Sequence, residues 1–74
     1  MQITVKLFAS LRMGRFKAEQ WELPSESTVD QVFSRLGLQS KEVSILRVNG
    51  RDVQDGHRLA DGDVVTLFPP MGGG

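Results

Sequence analysis

The sequence predicts an α+β fold, a mixed β-sheet with one helix packed on one of its faces, and three observations carry that prediction. Gln2-Ile3-Thr4-Val5-Lys6-Leu7-Phe8 alternates apolar and polar residues, as a half-buried strand does. Val29, Val32, Phe33 and Leu36 fall at i, i+3, i+4 and i+7, which is one apolar stripe on a helix. Val64-Val65-Thr66-Leu67-Phe68 is almost wholly apolar, as a strand in the middle of a sheet must be. A single helix among strands can cover only one sheet face, and this defines the class.

The elements follow in order. Ile3, Val5 and Leu7 of the first strand point one way, and Thr4 and Lys6 point the other. After Gly14, a second strand is expected over Lys17 to Leu23, with Trp21 and Leu23 on one face, forming a hairpin with the first. Thr28 is a good N-cap, Gln31 stands at capping-box spacing from it, and Gly37 suits a left-handed helix end. Strand character returns over Val43 to Val48, and Asn49-Gly50 is the favoured pair for a type I′ turn into a short strand, Arg51-Asp52-Val53. Asp55-Gly56 and Asp61-Gly62 mark loops around Leu59, and Pro69-Pro70 ends the last strand. The order is therefore β-β-α-β-β-β. A right-handed crossover would bring the last strand beside the first, parallel to it, in the sheet's centre. That arrangement is the β-grasp. Residues 1–68 form the domain and 69–74 an extended, flexible C-terminal tail.

Seventy-four residues without cysteine and with one histidine leave no disulfide or metal staple, so a compact, regular core must hold the fold. Nine basic and nine acidic residues cancel. Net neutrality argues against a nucleic-acid binder, which needs a basic face to neutralise phosphates, so no nucleic-acid partner is expected. No apolar run approaches the ~20 residues of a membrane helix, and Met1 leads into a strand, not a signal sequence. A cytoplasmic protein without a membrane partner is the expectation.

Groups for catalysis are scarce. His57, between Gly56 and Arg58, reads as a solvated loop residue. Asp55, Asp61 and Asp63 lack the spacing of a calcium loop and read as turn formers; no metal is expected. The tail is different. Pro69-Pro70-Met71-Gly72-Gly73-Gly74 leaves a central strand through a proline pair, which favours extended chain of about 3.1 Å per residue. Six residues beyond Phe68 reach up to ~20 Å. Glycines lack Cβ, fit a narrow channel and leave the Gly74 carboxylate unshielded. Three glycines alone would more readily mark an ordinary frayed terminus.

The chain resembles the MoaD/ThiS family of ubiquitin-like sulfur carriers over essentially its full length. The resemblance rests on residues 5–12 (Val-Lys-Leu-Phe-Ala-Ser-Leu-Arg) with Gly14, on Thr28-Val29, and on Val48-Asn49-Gly50. Above all it rests on Leu59-Ala60-Asp61-Gly62-Asp63-Val64-Val65 running into Phe68-Pro69-Pro70 and the glycines. The Phe-Pro-Pro segment and the Phe-Ala-x-Leu-Arg start are closer to the small subunit of molybdopterin synthase than to the thiamin-pathway carrier. Where the family usually ends in two glycines, this chain has three.

The resemblance implies a carrier that is not an enzyme by itself and binds no cofactor. An E1-like adenylating enzyme would use ATP to activate Gly74, and a sulfur donor would convert it to a thiocarboxylate, with Gly72 and Gly73 as the tail that threads the partner's site. The thiocarboxylate would donate sulfur in molybdenum cofactor biosynthesis within a large molybdopterin synthase subunit, or to a thiazole synthase if the pathway is thiamin. A ubiquitin-like protein modifier and an interaction module with an idle tail are the readings from other classes. By strand parity Phe8 and Phe68 share one face near Pro69, Pro70 and Met71, either as a partner-binding patch or as a second small core. Arg12, Arg15, Arg47 and Arg51 read as contacts to acidic partners or, more simply, as solvated charges.

Overall fold

Alternation fixes the first strand. In the computed structural model, which describes residues 1–70, β1 (Gln2–Leu7) buries Ile3, Val5 and Leu7 and leaves Thr4 and Lys6 on the other face. β2 (Ala18–Glu22) pairs with it antiparallel, Trp21 against Ile3, and adds Trp21 and Leu23 to the core. Helix α1 (Val29–Leu36) begins where Gln31 Oε1 accepts the Thr28 N–H at 2.8 Å, the backward half of a capping box. It ends at Gly37, whose φ of 75° lets its N–H turn back to the last carbonyls. The stripe Val29, Val32 and Phe33 lies against the sheet.

β3 (Ile45–Val48) and β4 (Arg51–Asp52) form a hairpin on Asn49 and Gly50, with φ of 54° and 81°, the two positive angles a type I′ turn demands. β5 (Val64–Phe68) then enters the middle of the sheet, whose order is β2-β1-β5-β3-β4. It runs parallel to β1 and antiparallel to β3, with Val5 beside Val65 and Leu7 beside Leu67. All four of those side chains are fully buried. The architecture is the ubiquitin-like β-grasp.

Element ends depart from the sequence expectation for local reasons. Phe8 remains extended but opens a single 3-10 turn (Ala9–Arg12) that drops Leu11 into the core, so β1 ends at Leu7. The turn is entered through Ala9 at φ 51°, an uncommon angle for a residue with a Cβ. β3 starts at Ile45, two residues after the Val43 expected, because a second 3-10 turn (Ser40–Glu42) precedes it. β4 is only two residues long; Val53, expected within it, follows it and is half-buried.

The Asp61-Gly62-Asp63 loop closes the ladder's beginning. Asp61 Oδ1 accepts the Gln2 N–H at 2.7 Å, and Gly62, at φ 87°, donates to the Gln2 carbonyl at 2.7 Å. Asp63 is buried; it accepts from Asn49 Nδ2 at 2.9 Å and from the Ala60 N–H at 2.8 Å. Asn49 Oδ1 in turn accepts the Val64 N–H at 2.9 Å. These carboxylates hold the chain to itself, and among the described residues no group of three His, Cys, Asp or Glu is placed to hold a metal ion. No helix among the described residues is long and apolar enough to cross a membrane.

Phe33, 6% exposed, is the aromatic contribution of α1 to this core. Phe33→Ala is expected to lower stability by about 3–5 kcal/mol, against a total of roughly 5 kcal/mol for a domain at the small end of the range. Urea denaturation checks it; an unchanged midpoint would place Phe33 outside the core.

Candidate functional site

Because β1 and β5 are parallel neighbours, both chains emerge at the same end of the sheet. Phe8 and Phe68 are the first residues past the buried pair Leu7 and Leu67, and both lie on the face away from α1. The Phe8 N–H donates to the Leu67 carbonyl at 3.2 Å, which keeps the two chains in register to the end. Their rings stack with centroids 4.4 Å apart and planes 12° from parallel. Arg12 returns over the Phe8 ring at 5.0 Å while its Nε donates to the Leu7 carbonyl at 2.7 Å. Ile45, the register partner of Phe68 on β3, is half-buried beside it. Phe8 and Phe68 are themselves half-buried and lie outside the main core cluster.

The exit of the tail is fixed by one hydrogen bond and one missing donor. The Phe68 carbonyl accepts the Ser44 N–H at 2.8 Å, and Pro69 has no N–H with which to extend the ladder. Pro69 is half-buried, and with the exposed Pro70 it walls a shallow groove completed by Ser10, Leu11, Arg15, Lys41 and Glu42. Met71, Gly72, Gly73 and Gly74 lie outside the described residues.

Phe8, Phe68, Pro69 and Pro70 thus sit at one end of the sheet, on and beside its open face. His57 is remote from them: its side chain is exposed, and its carbonyl accepts the Val29 N–H at 3.0 Å, so its backbone helps cap α1. Arg47 does not join the patch through its charge; its Nε donates to Asp52 across the β3–β4 hairpin at 2.9 Å. What sequence reasoning missed is Arg12 as part of the aromatic stack. The signal was its position four residues after Phe8, across a turn that alternation alone does not reveal.

Comparison with known proteins gives consistent matches. The ThiS family model matches residues 5–74. Small archaeal modifier protein 1 (SAMP1) of Haloferax volcanii superposes with a TM-score of 0.78 at 26% identity, covering 100% of both chains. A Pyrococcus furiosus protein assigned as molybdopterin converting factor subunit 1 gives a TM-score of 0.72 at 30% identity, covering 96% of this chain and 99% of that one. The Helicobacter pylori complex of molybdopterin-converting factor subunits 1 and 2 contains a chain with a TM-score of 0.69 at 22% identity, covering 100% of each; at that identity the likeness is one of fold. No curated protein sequence gives a significant match.

The stack makes its own prediction. A double-mutant cycle on Phe8→Ala and Phe68→Ala should return a coupling of about 0.5–1.5 kcal/mol, the usual worth of an aromatic pair beyond its buried area. Phe68→Ala alone should cost well under the Phe33→Ala loss. Calorimetric unfolding of the four proteins reads both, and zero coupling would deny the stack.

Proposed function

The chain belongs to the ThiS family, and from this premise we propose that it is a sulfur carrier whose working group is the Gly74 carboxylate. The observation that carries the reading is the family match running from β1 through to residue 74, with the tail leaving a central strand through Pro69-Pro70. A carboxylate is a poor electrophile, since its charge is shared between two oxygens and oxide is a poor leaving group. An E1-like adenylating enzyme would join the Gly74 carboxylate to the α-phosphate of ATP with release of pyrophosphate. A sulfur donor would then displace AMP and leave a thiocarboxylate. Catalytic acids and bases belong to the partner, and the carrier presents a tethered nucleophile at high local concentration.

The thiocarboxylate would next enter a larger synthase subunit and serve molybdenum cofactor biosynthesis. The Pyrococcus furiosus relative favours that pathway over a thiazole synthase and thiamin. Phe8, Phe68, Pro69 and Pro70 would form the partner-binding patch, Met71 continuing it, while Gly72 and Gly73 pass through the partner's channel. The likeness to SAMP1 of Haloferax volcanii favours a second reading, in which the activated Gly74 forms isopeptide bonds with protein lysines. Intact mass of the protein from its own host separates the two. Replacement of one oxygen by sulfur marks the carrier, and ladders of heavier conjugates mark the modifier.

Deleting Gly73 and Gly74 should abolish ATP–pyrophosphate exchange with the activating enzyme while stability moves by no more than about 0.5 kcal/mol, because the buried core is built from residues Ile3 to Leu67. A truncated chain that still supports exchange and cofactor synthesis would overturn the reading.

A further inference from the structure

Zero net charge conceals a segregation of charge along the β1–β5 axis. Among the described residues, the tail end of the sheet carries Arg12, Arg15, Lys17 and Lys41, with Glu42 beside them. Four contacts place them there. Arg12 binds the Leu7 carbonyl; the Lys17 carbonyl accepts the Leu7 N–H; Arg15 and Lys41 line the groove with Pro69 and Pro70, as does Glu42. Two of the cations are held rather than dangling. Arg15 donates to the Leu11 and Leu36 carbonyls at 3.2 Å each, and Arg12 lies over the Phe8 ring. Glu42 in turn accepts the Gln39 N–H at 3.3 Å.

The opposite end has the reverse sign. Glu22 pairs in register with Gln2, Asp61 binds the Gln2 N–H, and the Asp63 carbonyl accepts the Thr4 N–H. Asp30 and Asp55 meet through a backbone hydrogen bond at the start of α1. At that end the Met1 ammonium, 3.4 Å from Glu22, Arg51 of β4 and Arg58, 3.7 Å from Glu26, offset part of this negative charge. The domain is therefore an electric dipole whose positive pole surrounds the point where the tail leaves.

We propose that this cationic collar is a docking surface for an acidic rim around the channel of the partner that receives the tail, so that the carrier arrives tail first. The proposal rests on the carrier reading above and adds to it a charge on the partner and a kinetic role for residues outside the aromatic patch. A dipole aligned with the functional tail orients the encounter, and such steering acts on association rate and fades with salt.

The test compares two double variants with equal changes of net charge. Lys17→Glu with Lys41→Glu reverses the collar at two exposed side chains, leaving the Arg12 and Arg15 hydrogen bonds in place. Arg51→Glu with Arg58→Glu does the same at the far pole. Association with the adenylating enzyme of the chain's own source is followed by stopped flow from low to high salt. The collar variant is expected to associate about tenfold more slowly at low salt and to converge with the wild type at high salt. The far-pole variant should change by less than about twofold. Equal slowing of both variants would reduce the effect to net charge and overturn the proposal, as would no slowing of either. Pyrophosphate exchange at saturating carrier tests activation separately: normal exchange with unchanged association overturns the collar alone, whereas no exchange from the wild-type chain overturns both.

Discussion

The parallel pairing of β1 with β5 is the contact on which the fold and the site both depend. Val5, Leu7, Val65 and Leu67 have no exposed surface, and their two strands form the middle of the five. Parallel neighbours cannot be joined by a tight turn, so everything between them, hairpin, helix and second hairpin, is the connection that brings β5 home. Parallelism also sends both strand ends out at one pole. Phe8 and Phe68 become adjacent there, Arg12 folds back over them, and the proline pair departs from their side. Antiparallel strands would have put Phe8 and the tail at opposite poles.

Much of this was legible in the sequence because it follows from short periods. Alternation placed Ile3, Val5 and Leu7, the helical stripe placed Val29, Val32 and Phe33, and Asn49-Gly50 and Gly37 marked turns that need positive φ. What periodicity could not give was non-periodic structure. Leu11 enters the core from a single 3-10 turn, and Val43 lies beyond the strand expected to contain it. In the site, strand parity put Phe8 and Phe68 on a common face, but it says nothing about ring geometry or about Arg12. The charge segregation was hidden for a different reason. Counting residues gives zero, and only strand direction reveals which end each charge occupies.

The start of β5 is guarded with unusual density for so short a chain. Asp61 and Gly62 clasp Gln2 from both its N–H and its carbonyl, and Asp63 and Asn49 bind each other while Asn49 takes the Val64 N–H. The consequence is register. A slip of one residue in β5 would carry Val65 and Leu67 to the open face and turn Phe68 inward, because side chains alternate with a period of two. The same slip would break the Phe8–Phe68 stack and shift the point at which Pro69 leaves the sheet. Hydrophobic burial disfavours such a slip, and polar contacts to Asp63 and Asn49 fix it further at the far end of the strand. Residues distant from the tail therefore decide where the tail begins.

This separates the requirements of folding from those of function along a single strand. Asp63, Val65 and Leu67 face the core and answer to packing and to the hydrogen bond between Asn49 and Asp63. Phe68 and Pro69 are half-buried at the boundary, where a side chain can be held by the domain and still meet another surface. A projecting chain needs a fixed base, since uncertainty there is multiplied along every residue beyond it. The Ser44 hydrogen bond to the Phe68 carbonyl, the aromatic stack and the loss of the ladder at Pro69 supply that anchor within two residues. This end of the fold needs a strand that ends at a fixed place and in a fixed direction, and the parallel pair at its centre provides both.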